Sequence, residues 1–220
     1  MRIVIFVLRK GIECRRITLG FLNYFQLATV IIVVCAIATK ALYSWRVTGV
    51  FPIVIGRGKG AWRIIELLSF VALILLVSEV LLRALRSRFD MFPDPINVTL
   101  LHSQPARILG VMLILLGLIL FLLAFLNFGT SWRIGIDRKT PGSLVTDGVF
   151  TLSRNPIYVA FITIFFGIFL INGTWFFLIF ALLAVVFIHF QILREEEFLK
   201  KQYGRSYDEY CQRAARYLIW

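Results

Sequence analysis

Two clusters of polar residues in this chain have the types and spacing to do chemistry. The first is the stretch from Asp147 to Tyr158, D-G-V-F-T-L-S-R-N-P-I-Y. Asn155 followed by Pro156 reads as a helix start, because an Asn side chain can accept from a free backbone N–H and a proline at the first helical position has none to leave unpaired. The free N–H groups of such an end carry partial positive charge and Arg154 adds a full one, so this helix start is suited to an acidic group. The second cluster is Arg194-Glu195-Glu196-Glu197. Consecutive acids where an apolar helix emerges are unfavourable unless something opposes them. Lys200 and Lys201 stand at pairing distance from Glu197 along a helix, which accounts for that residue. Glu195 and Glu196 are left as candidate ligands facing the cationic start at Arg154.

What must position these clusters is a set of membrane helices. The 220 residues are 60% hydrophobic, and a mean hydropathy of +0.85 is too apolar for a soluble domain of this length. Lys and Arg number 24 against 12 acids, giving +12, but they are spread over the loops and form no nucleic-acid stripe. The expected partner of this charge is the anionic lipid surface, with no nucleic acid. Cys14, Cys35 and Cys211 have no metal-like spacing, so no metal site is expected. Five apolar runs stand out: Phe21 to Tyr43, Ile64 to Leu82, Ile108 to Phe128, Ile157 to Ile171 and Thr174 to Leu193. At about 1.5 Å per residue the first spans a hydrocarbon core of about 30 Å, whereas the fourth reaches only about 22 Å. The turn Asn172-Gly173 joins the fourth run to the fifth as a tight antiparallel hairpin. Its open ends, Arg154 and Arg194, therefore lie on one side of the membrane, which brings the two clusters together.

The remaining segments are less specific. Met1 to Lys10 has the wrong order for a cleavable signal and is expected to lie on the membrane as a short anchoring segment. Gly56 to Gly60, G-R-G-K-G, lacks the Ser or Thr and the preceding strand of a phosphate loop. Glu79 and Arg83 are four apart and read as an interfacial ion pair. The polar connection from Asn127 to Asn155, with S-W-R-I-G-I-D at Ser131 to Asp137, is long enough to suggest a site. In the tail, Gly204 can stop one helix, and Ser206 with Glu209 has capping-box spacing for the next. Tyr203, Tyr207, Tyr210 and Tyr217 would make one stripe able to cover the hairpin mouth as a lid. His189, seven residues before Glu196, shares its face and reads first as a bundle residue.

Arg154-Asn155-Pro156-Ile157-Tyr158, preceded by Gly148-Val149-Phe150, resembles the G-x-Y/F-x-x-x-R-H-P-x-Y element of integral-membrane methyltransferases related to isoprenylcysteine carboxyl methyltransferase and to phospholipid N-methyltransferases. Arg194-Glu195-Glu196 with Leu199, Tyr203-Gly204, Tyr207 and Tyr210 is similar to that family's R-E-E-x-x-L-x-x-x-F-G-x-x-Y-x-x-Y ending. The resemblance covers the chain from Ser131 onward. It departs at Asn155, where the family has His, and at Ala160, where Gly is common.

The resemblance implies an all-α polytopic membrane protein of about five transmembrane helices, with a C-terminal helical hairpin and an amphipathic cytosolic tail. Residues 1–128 would form an interfacial segment plus three spans, and 129–220 the cofactor-binding loop, hairpin and tail. It implies S-adenosylmethionine as cofactor, bound by Arg154, Asn155, Tyr158, Glu195 and Glu196. The candidate catalytic residues are Arg133, Arg154 and Glu196, the two arginines as holders of an anionic acceptor. The expected reaction is methyl transfer to a lipidic or small hydrophobic carboxylate, amine or thiol, on the cytosolic face of a bacterial inner membrane. The alternatives are a sterol-type NADPH-dependent reductase, whose last hairpin carries a comparable pattern, and a non-catalytic membrane scaffold.

Overall fold

Each of the five apolar runs forms a helix, and the helices pass back and forth through one layer. A computed structural model describes residues 2–49, 61–85, 91–128 and 144–218. Among these the regular structure is α1 (Arg2–Thr48), α2 (Ala61–Ala84), the short α3 (Asp94–Asn97), α4 (Gln104–Asn127), a 3-10 turn (Gly148–Thr151), α5 (Pro156–Asn172), α6 (Trp175–Tyr203) and α7 (Arg205–Cys211). Four helices are long and apolar enough to cross a membrane, Gly20–Val47 within α1, Trp62–Ala84, α4 and α6, and α5 is a shorter apolar helix. The all-α, polytopic membrane architecture is therefore as the sequence leads one to expect. The first helix differs in extent: α1 starts at Arg2, so the N-terminal residues continue the spanning helix instead of forming a separate short segment. Gly56 to Gly60 and Ser131 to Asp137 lie outside the described residues.

Side-chain contacts fix the direction of each pass. At the closed end, Leu22 of α1, Leu76 and Val80 of α2, Ile168 and Ile171 of α5 and Phe177 of α6 share one apolar cluster. There Asn23 donates to the Arg83 carbonyl at 3.0 Å and Asn172 to Gln26 Oε1 at 2.6 Å. The Glu79–Arg83 pair forms at 2.7 Å and leans on Phe177. At the opposite end, Ala41 of α1 packs with Phe121 and Phe125 of α4 and Ala160 of α5, while Arg194 of α6 reaches Glu66 of α2 at 3.1 Å. The chain thus alternates direction through five passes, and the open end of the α5–α6 hairpin is the mouth.

The hairpin turn is made by Gly173, at φ 67. That left-handed conformation disfavours other residues, and a Cβ here would lie 1.9 Å from the Leu101 carbonyl oxygen. The Gly173 carbonyl accepts from Leu100 and Leu101 at 2.6 and 3.1 Å, which fastens the turn to the lead-in of α4.

Small residues then let α4 and α5 run backbone against backbone. Gly110 and Gly117 on α4 meet Gly167 and Ala160 on α5, with the same seven-residue step on both and the opposite order. A Cβ at Gly167 would lie 2.6 Å from Ile114 Cγ1 and 2.7 Å from the Gly110 carbonyl oxygen. In lipid, where hydrocarbon tails are as apolar as leucine, such close approach is what holds helices together. It also explains why Ala160 is tolerated: Gly117 stands opposite and leaves room for its methyl group, which is fully buried. Gly167→Val is expected to cost about 1–3 kcal/mol by overpacking and to lower the thermal midpoint in detergent. Leu116→Ala, on the exposed face of α4, should change it little.

Candidate functional site

The mouth is built from the start of α5, the second half of α6 and the returning tail. Asn155 holds the N-cap position, but its side chain does not cap. This corrects the expectation for Asn155, and the reason is competition. Its Nδ2 donates instead to Glu196 Oε1 at 3.2 Å and to the Arg216 carbonyl at 3.1 Å. Glu196 also accepts from Arg154 Nε at 3.2 Å and, on its other oxygen, from Arg216 at 2.8–2.9 Å. Arg154 Nη1 further donates to the Cys211 and Ala214 carbonyls at 3.1 and 3.3 Å, and its backbone N–H to the Ala215 carbonyl at 2.8 Å. One carboxylate and one guanidinium therefore tie α5, α6 and residues 211–216 together. Glu196 in turn raises the pKa of Arg216 further above its ordinary range by hydrogen bonding to it.

Glu195 faces a different neighbourhood. Tyr158 donates to its Oε1 at 2.6 Å and Gln191, one turn earlier on α6, donates to the same oxygen at 3.0 Å. Oε2 has no donor among the described residues, and Glu195 is half-buried. Arg194 points toward α2, where it pairs with Glu66 and lies 4.4 Å over the Trp62 ring. His189 Nδ1 shares a 2.7 Å hydrogen bond with the Tyr217 hydroxyl, and the two rings stack.

The two acids do not sit where the helix ends. α6 continues to Tyr203, so Glu195 and Glu196 lie about two turns inside it and their charge is answered by partners across the mouth. Glu197 pairs with Lys201, as expected, while Lys200 turns to Asp208 at 3.2 Å. The tail also differs from expectation. Gly204 ends α6 and directly starts α7, so Ser206 and Glu209 form no capping box and Arg205 pairs with Glu209 instead. Of the four tyrosines expected in one stripe, Tyr203, Tyr207 and Tyr210 do share one apolar cluster, and Tyr217 stands apart. Tyr207 and Tyr210 are buried with Ala124 and Phe150 beneath α7, Tyr210 donating to the Phe150 carbonyl at 2.8 Å, and Tyr217 is at His189. Gly148, at φ 63, opens the 3-10 turn that presents Phe150.

Of the residues singled out in the sequence, Arg154, Asn155, Tyr158, Glu195, Glu196 and His189 converge on the mouth. Arg133 lies outside the described residues. Gln191 and Arg216 escaped the sequence reading. Gln191 had a usable signal, the four-residue step to Glu195; Arg216 had none, because only the fold of the tail returns it to Glu196.

Comparison with known proteins bears on this arrangement, a short membrane hairpin whose mouth pairs R-N-P-x-Y with R-E-E. Residues 105–206, from the start of α4 to the start of α7, match the family described as phospholipid methyltransferase. A relative is protein-S-isoprenylcysteine O-methyltransferase B of Arabidopsis thaliana, 36% identical over 108 residues, which make up 47% of this chain and 54% of that protein. The chain thus spans about half the length of the curated relative it matches.

Burial is the main cause that pushes the Tyr207 and Tyr210 hydroxyls well above the ordinary tyrosine pKa of about 10. Glu196 and Cys211 add to the rise and Arg154 opposes it. Docking of the tail therefore favours the neutral phenols, so this contribution is full below about pH 10 and is lost as pH climbs through the higher folded values. Tyrosinate absorbance should rise in an ordinary phase and a late one, the late phase shrinking in Tyr207→Phe and Tyr210→Phe. A single phase near pH 10 for all seven tyrosines would contradict it.

Proposed function

We propose that this protein is an S-adenosylmethionine-dependent methyltransferase acting on a lipidic or small hydrophobic acceptor that reaches the mouth from the bilayer. The observation that carries the reading is the meeting of the two clusters, Tyr158 with Glu195 at 2.6 Å and Arg154 with Glu196 at 3.2 Å, at the open end of the α5–α6 hairpin. The donor set suits the cofactor. Glu195 offers a carboxylate oxygen without a donor among the described residues, able to accept from an ammonium or a ribose hydroxyl. Arg154 and Arg216 against the single carboxylate of Glu196 leave the neighbouring site net cationic, as a methionine carboxylate requires. The buried Tyr207 hydroxyl has only the Cys211 thiol beside it among the described residues, a weak partner for a buried polar atom.

When bound, the cofactor supplies a methyl group activated by its positive sulfur. The protein's task is then to position the acceptor and exclude water. Asn155, engaged with Glu196 and Arg216, holds the mouth together and cannot titrate, so no imidazole base acts there. Tyr158 orients Glu195, and Arg154 serves through Glu196 and the tail carbonyls. Arg133 is assigned to the acceptor by the same reading. The acceptor class, carboxylate, amine or thiol, is left to the segments outside residues 105–206. A basic mouth opposite an uncharged turn favours a cytosolic mouth, in a bacterial inner membrane.

Protein reconstituted in liposomes of lipid extract should transfer label from methyl-labelled S-adenosylmethionine into the organic phase. Glu195→Gln should lower that rate about 10- to 100-fold, and Lys201→Ala, on the exposed side of α6, should not. No transfer by the unmodified protein, or equal transfer by Glu195→Gln, would overturn the reading.

A further inference from the structure

We propose that Arg107, at the closed end of the bundle, holds a phosphate group there, in a binding site separate from the mouth. The inference does not depend on the methyltransferase reading, because Arg107 lies about 25 Å along α4 from Ala124, which packs beneath α7 at the mouth. Arg107 is 9% exposed, and a buried guanidinium needs both a counter-charge and partners for its fork of N–H donors. Its one side-chain contact among the described residues is His102 Nε2, at 3.4 Å. An imidazole supplies no negative charge. Every other buried or half-buried arginine among the described residues is paired: Arg83 with Glu79, Arg194 with Glu66, and Arg154 and Arg216 with Glu196. Arg107 has no carboxylate within salt-bridge distance among those residues.

Gly110, three residues further along α4 and on the same face, meets the Gly167 carbonyl and Ile171, so Arg107 is turned toward the end of α5 and the Gly173 turn. The carbonyls there are answered by other donors. Phe169 accepts from the Gly173 N–H, Ile168 from Asn172 Nδ2, and Gly173 from Leu100 and Leu101. At the same corner Thr174, which pairs with Thr99 of the lead-in to α4, is 3% exposed and has a hydroxyl with no hydrogen-bond partner among the described residues. That hydroxyl does not cap α6 either. A buried cation and a buried hydroxyl, both without the partners such groups require, suit one oxyanion. The planar guanidinium fork matches phosphate in geometry as well as in charge. Trp175, exposed at the start of α6, is of the type that lies at head-group level. Beside Arg107 on α4, Ile108, Leu109 and Met112 form an exposed apolar face along which hydrocarbon chains can lie. The phosphate is thus that of an anionic lipid in the leaflet opposite the mouth, or a soluble one from the adjoining water.

The test is ligand retention by delipidated, detergent-purified full-length protein, read by native mass spectrometry with phosphatidylglycerol, phosphatidylcholine of the same chains and inorganic phosphate as probes. One phosphatidylglycerol should be held about tenfold more tightly than phosphatidylcholine. Arg107→Gln should lose that binding, and Arg205→Gln, exposed at the other end of the molecule, should keep it. Arg107-dependent binding of inorganic phosphate, with no preference between the two lipids, would keep the site and make its occupant a soluble anion. Retention of neither lipid nor phosphate by the unmodified protein, equal retention of the two lipids without phosphate binding, or retention undiminished in a folded Arg107→Gln would overturn the inference. If Arg107→Gln does not fold, Arg107→Lys takes its place: losing the fork should weaken retention, and unchanged retention would overturn the inference.

Discussion

Glu196 accepts from Arg154, Asn155 and Arg216 at once, and the mouth exists because of it. The three donors come from the first residues of α5 and from a tail that has left α6, folded through α7 and returned. With side-chain exposures of 11% for both Arg154 and Glu196, these charges are largely removed from water, and losing one partner of such a pair costs about 3–5 kcal/mol. Arg216, at 40%, is solvated enough that its share is smaller. The network therefore fixes the α5–α6 opening and secures the tail over it. Glu195, one residue earlier, is left to Tyr158 and Gln191. Adjacent acids on one helix project about 100° apart, which lets Glu196 serve the fold while Glu195 faces the ligand that the proposed function requires.

That division depends on α5 being held at a fixed depth. α5 is too short to span comfortably, so its position is set by packing, through the glycines of α4 at one face and the Gly173 turn clamped to Leu100 and Leu101 at the closed end. α1 closes the other side, with Gln26 holding Asn172 at the closed end and Ala41 against Ala160 near the mouth. The site is thus carried partly on helix backbone, through Tyr158, Glu195 and Glu196, and partly on the irregular lead-in to α5, through Arg154 and Asn155.

Much of this was legible in the sequence. Long apolar runs separated by charged loops gave the helices, and one hairpin with a two-residue turn placed Arg154 beside Arg194. The residues that were misread share a cause: local rules were overruled by partners distant in sequence. Asn155 is a good N-cap by type, but the Glu196 carboxylate and the Arg216 carbonyl offered it stronger partners. Ser206 and Glu209 have capping spacing, but Gly204 turns the chain two residues earlier. Gly110 and Gly117 look unremarkable in the most lipid-like run, and their role appears only once Ala160 and Gly167 are seen opposite. Arg216 could not be found by spacing at all.

The methyltransferase reading depends on Glu195 and its surroundings holding S-adenosylmethionine. Calorimetric titration of the detergent-purified protein and of Glu195→Ala, with S-adenosylmethionine and separately with reduced nicotinamide adenine dinucleotide phosphate, tests this most directly. The expected result is micromolar-range binding of the first compound, lost in Glu195→Ala, and no binding of the second. Binding of the nicotinamide alone would contradict the reading in favour of a reductase, and binding of neither in favour of a scaffold.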